Sequence, residues 1–117
     1  MQALKDARSV LDVDRMEYHA ERPGFRITEL QLSADQKVPW HYHTHVQDTF
    51  YVLQGTLRIF LRDPKEEVRL APGETYAAAP GRPHLVTNAN RDSPNDAVVL
   101  LVLQAGEYDF VPLNKIT

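Results

Sequence analysis

Eight prolines and five glycines are spread along this chain as punctuation rather than gathered into a linker. They cut it into short pieces, and short pieces favour strands. Phe25, Ile27, Glu29 and Gln31 alternate with Arg26, Thr28, Leu30 and Leu32 between Pro23-Gly24 and Ala34-Asp35, which predicts a strand that exchanges faces. Val38 to Thr44 is expected to be extended, because Pro39 biases its predecessor away from helix. Further strands are expected over Thr49 to Leu53 and over Thr56 to Leu61, where Leu57, Ile59 and Leu61 form the apolar row and Arg58 faces outward. Asp63 to Glu67 reads as an exposed turn before a strand over Val68 to Leu70. Strands around Thr75 to Ala79 and His84 to Asn88 flank Pro80-Gly81-Arg82-Pro83, and Asn88 to Asp96 reads as a surface loop. The valine-rich run Val98 to Leu103 is expected to be central in a sheet or buried on both sides. The opening segment to about Glu21 fits no single period. Short strands at regular spacing make the chain all-β, an antiparallel sandwich or barrel.

A length of 117 residues favours a single domain over 1–117, with the barrel itself at about 24–105. With 43% hydrophobic and 25% charged residues, the composition is that of a globular protein. Thirteen Lys and Arg against sixteen Asp and Glu leave a net charge of -3, so no basic footprint for nucleic acid exists. The absence of cysteine excludes disulfides, thiolate metal sites and a thiol nucleophile. The longest apolar run, Ala97 to Leu103, is seven residues, too short to cross a bilayer. The opening MQALKDARSVLDVDR lacks the apolar core of a secretory signal, and the expected location is cytoplasmic.

The histidines carry the chemistry. His41, His43 and His45 lie in PWHYHTHVQD, and His84 lies in PGRPHLVTN. Side chains on a strand alternate with period two, so His41 and His43 project from one face and form a ready chelate. Asp48 can add an oxygen ligand from the neighbouring strand, and His84 can complete the set. Gln47, beside Asp48, falls on the opposite face and ranks behind it as a fourth ligand. Histidines with one carboxylate suit one divalent transition metal per chain: Fe, Mn, Ni, Co or Zn. The bland alternative is a surface histidine tract plus one unrelated histidine. His19 is read as a surface residue.

The chain resembles the cupin family on both of its motifs. In the first, His41-Tyr42-His43 is followed by four residues, Asp48, six residues and Gly55. In the second, Gly73 precedes Ala79-Pro80-Gly81, with His84 and Asn88 in register. Three positions depart from the pattern: Asp35 stands in place of Gly, Ala79 in place of Pro, and Asp48 in place of the usual Glu ligand. The resemblance implies a jelly-roll β-barrel, with a short N-terminal arm and a C-terminal tail, that forms a homodimer and holds the metal inside near one mouth. His45 is an extra histidine found in some small cupins, among them a group that resembles uronate-processing enzymes.

Two classes of function follow. In one, the metal supports a dioxygenase or isomerase acting on a small oxygenated metabolite, with His45 as the catalytic base that moves a proton. In the other, the chain is a non-catalytic module that binds or senses a small molecule, and the fold hosts both uses. Phe50, Val52, Tyr76, Ala78, Val86 and Leu101 are candidate cavity walls. Trp40 and Tyr42 could line the mouth or an interface, and the tail GEYDFVPLNKIT could fold back on the barrel or dock onto a partner.

Overall fold

A computed structural model describes residues 10–89 and 96–113. Most of the expected loop over 88–96, much of the N-terminal arm and the end of the tail lie outside those residues. The elements are β1 (Arg15–Arg22), β2 (Phe25–Leu32), β3 (Lys37–Tyr42), β4 (Gln47–Gln54), β5 (Leu57–Leu61), β6 (Glu66–Leu70), β7 (Thr75–Ala78), β8 (His84–Asn88), β9 (Val98–Ala105) and β10 (Val111–Pro112). They form two five-stranded antiparallel sheets, ordered β1-β2-β9-β4-β7 and β10-β3-β8-β5-β6. The inner faces close on Leu30, Leu32, Val52, Leu57, Ile59 and Leu100, each at most 5% exposed. This is the all-β jelly-roll barrel that the strand pattern and the motifs imply, and among the described residues no helix is long and apolar enough to cross a membrane.

Three details depart from the sequence reading. The segment without a period contains β1, whose register against β2 shifts between Tyr18 and Ala20, so no single alternation describes it. The sheets therefore take in β1 and β10, beyond the expected span of 24–105. Glu66 and Glu67, read as turn residues, open β6, because Glu67 faces β5 and its carboxylate takes two hydrogen bonds from Arg58, at 2.9 and 3.0 Å. The apolar run is central, between β2 and β4, but it is not buried on both sides: Val98, Leu100, Val102 and Gln104 point inward, and Val99, Leu101 and Leu103 are half-buried on the outer face. Leu101 therefore leaves the list of cavity walls. Tyr76 leaves it too, since its hydroxyl bonds Glu66 and Arg82.

Two glycines make close turns at opposite ends of the β4–β9 ladder. Gly55 has φ +80°, and a Cβ there would meet the Ala97 carbonyl oxygen at 2.7 Å. Gly106 has φ +128°, and its Cβ position is filled by the carbonyl of His45. That close approach lets the chain turn after β9 and fold back, so that Leu113 N–H bonds the Trp40 carbonyl at 2.9 Å and β10 pairs with β3. The tail, as far as it is described, packs on its own barrel.

Candidate metal centre

A bulge makes the site possible. Val38 pairs with Val86 and His41 with His84, so β3 spends one more residue than β8 over this stretch. The extra residue, at Pro39-Trp40, resets the parity, and Val38, His41 and His43 all face inward. His41 then lies directly opposite His84 across the ladder, while Asp48 projects from β4 in the other sheet. His41, His43, Asp48 and His84 are each at most 2% exposed, and one ligand atom from each lies within 4.8 Å of the others. His43 Nε2 and His84 Nε2 both stand 3.0 Å from Asp48 Oδ2, with His41 Nε2 at 3.9 Å.

Backbone carbonyls set the ring tautomers. His41 Nδ1 is 2.7 Å from the carbonyl of Pro39, His84 Nδ1 is 2.8 Å from that of Arg82, and His43 Nδ1 bonds that of Asp109. A carbonyl only accepts, so each Nδ1 carries the hydrogen and donates it, leaving each Nε2 with a bare lone pair in the neutral ring. Three lone pairs then converge on a carboxylate oxygen, an arrangement that a cation between them would satisfy. Two donors bonded at about 2.1 Å and at right angles lie about 3.0 Å apart, the spacing found here. The donor set therefore fits a divalent transition metal, with the orienting bonds such sites need.

Charge in the metal-free pocket follows the same logic. Burial, then repulsion from His84, pushes His41 down to about 4. Burial also opposes charge on His43, but the Asp48 carboxylate and bonds to Asp48 and Asp109 outweigh it and raise the group. Burial would raise Asp48, yet attraction to His43 and the nearness of the His41, His43 and His84 rings hold it well below the usual carboxylate range.

Several residues of this centre were not singled out in the sequence. Gln104 pairs with Asp48 across the β4–β9 ladder and donates to Asp48 Oδ1 at 2.8 Å, which leaves Oδ2 for the imidazoles. Extending the inward parity of Val98, Leu100 and Val102 by one step would have found it. Phe110, 2% exposed, stacks on His41 with ring centroids 4.2 Å apart and planes 13° apart. Asp109 clamps the turn after β3: its carboxylate accepts the Thr44 N–H at 2.7 Å, and its carbonyl orients His43. No local pattern could place Asp109 and Phe110, because they meet His41, His43 and Thr44 from at least 65 residues away.

His45 is not brought to the cluster. It is exposed just beyond the turn, because the chain passes from His43 to β4 there, and it does not line the cavity. Gln47 is exposed as well, on the face opposite Asp48. His19 lies on the surface, 2.8 Å from Glu29. Beside His41, His43 and Asp48 is a cavity of about 40 Å3 walled by Phe50, Val86, Val102, Tyr108 and Phe110. It holds a water-sized ligand or a few atoms more.

A two-sheet barrel with three imidazoles and a carboxylate converging at one mouth defines a class of small barrels with a candidate metal site. A profile of the cupin domain family matches residues 29–103, and the chain belongs to that family. Among solved structures it is similar to an uncharacterized conserved protein with a double-stranded β-helix domain from Klebsiella pneumoniae subsp. pneumoniae MGH 78578. The TM-score is 0.72 at 20% identity, covering 86% of this chain and 84% of that one. It is also similar to KdgF from Halomonas sp., with TM-score 0.63 and 21% identity over 77% of this chain and 78% of that one. An oxalate oxidase shares the fold with TM-score 0.67 and 15% identity, over 77% of this chain and 46% of that one. No curated protein matches the sequence.

Proposed function

We propose that this cupin binds one divalent transition metal through Nε2 of His41, His43 and His84 and Oδ2 of Asp48, and acts on a small oxygenated molecule. The observation that carries the reading is the convergence of three tautomer-fixed Nε2 lone pairs on one buried carboxylate oxygen. When bound, such a metal supplies Lewis acidity toward a substrate oxygen and, if redox-active, a route to dioxygen chemistry. Gln104 holds the carboxylate in place, Phe110 and Phe50 keep water from the rings, and the narrow cavity selects a small molecule.

An isomerase needs a proton-transfer group on the cavity wall. His45 lies outside it, and among the described lining residues Tyr108 is the one titratable side chain beyond the proposed ligands. The oxygen-dependent reaction requires no protein base, so it is the enzymatic reading we favour; the oxalate oxidase among the fold neighbours is compatible with it. The scarcity of wall groups able to move a proton equally favours a second reading, a non-catalytic small-molecule binder. The half-buried or exposed outer row of Ile27, Tyr51, Leu53, Leu101 and Leu103 supports a homodimer formed through the first sheet.

The test is metal content. Protein purified without chelator is expected to carry one divalent metal per chain, His41→Ala and His84→Ala to lose it, and His45→Ala to keep it. Full occupancy in both ligand variants would refute the site. Oxygen uptake by the loaded protein with diketone, catechol-like and uronate compounds then separates enzyme from binder.

A further inference from the structure

Two buried polar atoms near the metal centre have no partner among the described residues: Thr28 Oγ1 and Arg26 Nη1. Buried donors are nearly always paired, and each exception calls for an explanation. Both belong to the inward row of β2, where Arg26, Thr28, Leu30 and Leu32 alternate with outward residues. Thr28 is 3% exposed and lines the small cavity together with the proposed ligands His41, His43 and Asp48. Arg26 sits one step nearer the mouth, in a cross-strand row with Gln104 and Asp48. That row spans two ladder spacings, so the strands bearing Arg26 and Asp48 run about 10 Å apart.

The Arg26 guanidinium is held as if poised. Its Cζ lies 3.9 Å from the Tyr108 ring centroid and 5.0 Å from that of Tyr18, while Nη2 bonds the exposed Glu21 carboxylate at 2.7 Å. Nη2 thus takes the solvent side and Nη1 is left in the interior. Gln104 and Tyr108 line both the small cavity and a larger groove of about 640 Å3 that Arg26 also lines. Gln104 and Tyr108 therefore stand where the groove meets the small cavity, with Arg26 on the groove side of them.

The geometry points to a carboxylate-binding subsite. We propose that the molecule bound here is a short carboxylic acid carrying a second oxygen donor. Its far carboxylate accepts from Arg26 Nη1, Thr28 Oγ1 bonds the same acid, and its near oxygen reaches the His41, His43, Asp48 and His84 centre. A divalent metal with one carboxylate ligand leaves net positive charge at the inner end, and Arg26 adds a second at the outer end, so an anion is favoured at both. Guanidinium offers the planar pair of donors that suits a carboxylate. The wall of the small cavity also includes Leu30, Phe50, Val86 and Val102, all apolar, and its volume of about 40 Å3 admits only a short segment beside the centre. This inference rests on the metal-site reading above and adds the substrate class.

Malonate, with its neutral isostere malonamide, is the probe, titrated by calorimetry into metal-loaded wild type, Arg26→Gln, Arg26→Lys and Thr28→Val, with melting temperature and metal content measured for each. Malonate is expected to bind and malonamide not to. A hydrogen bond to a charged partner corresponds to roughly a tenfold to hundredfold change in affinity, so Arg26→Gln is expected to weaken malonate by at least about tenfold. Arg26→Lys should recover part of that loss, Thr28→Val should weaken binding by a smaller factor, and metal content should stay unchanged. Equal malonate affinity in wild type and Arg26→Gln, with metal bound in both, overturns the subsite and leaves the metal site standing. If wild type takes up no metal, the metal reading fails, and the same titration on that protein decides the subsite: a malonate preference lost in Arg26→Gln supports it, and no preference overturns it.

Discussion

Gln104→Met removes one donor from the centre while keeping the length and unbranched shape of the side chain. In the native chain the Gln104 amide donates to Asp48 Oδ1 at 2.8 Å, and both residues are at most 9% exposed. Without that bond, one oxygen of a buried carboxylate loses its partner and the group is free to rotate Oδ2 away from the imidazoles. A hydrogen bond to a charged group contributes about 1.5–3 kcal/mol, roughly a tenfold to hundredfold factor in an equilibrium constant. Loss of an orienting partner at a metal ligand costs a similar factor, about 10–100-fold in affinity. The expected outcome is one metal per chain at saturation, but weaker binding by that factor, read by competition with a chelator of known affinity. Gln47→Met, at the exposed position beside Asp48, serves as the control and should change nothing. Unaltered affinity in Gln104→Met would refute the argument that this bond holds Asp48 in its ligand geometry.

The metal-free protein should lose stability as pH falls from about 6.5 toward 4. His41 stays neutral in the fold down to about 4, whereas in the unfolded chain it takes a proton near 6.5, so its contribution is present above that window and lost through it. The ceiling is roughly 3 kcal/mol, and His43, raised by Asp48, works in the opposite sense, its contribution being lost as pH rises. Thermal melts across this range should flatten in His41→Gln, and an equally steep fall in that variant would count against the assignment. Tyr51→Glu, placed among the apolar outer residues of the first sheet, should shift the protein from dimer to monomer in sedimentation while leaving metal content unchanged; a wild-type monomer would remove the proposed interface.

The strands from β2 to β9 were legible in the sequence because their signals are local: alternation, and Gly or Pro at most of the boundaries. The ligand candidates were legible for the same reason, since His41 and His43 share a face by parity and the motif spacing brings Asp48 and His84 into register. What the sequence could not supply was long-range. The bulge at Pro39-Trp40 that points Val38 and His41 the same way exists only in pairing with β8. His45 looks equivalent to its two neighbours in sequence, yet the chain turns beneath it and leaves it in solvent. Gln104, Asp109 and Phe110 reach the centre from across the barrel, so their importance comes from which strands lie side by side. Side-chain period is a property of neighbouring residues and can be read along the chain. Convergence on one oxygen atom depends on the closure of two sheets, and tertiary structure alone decides it.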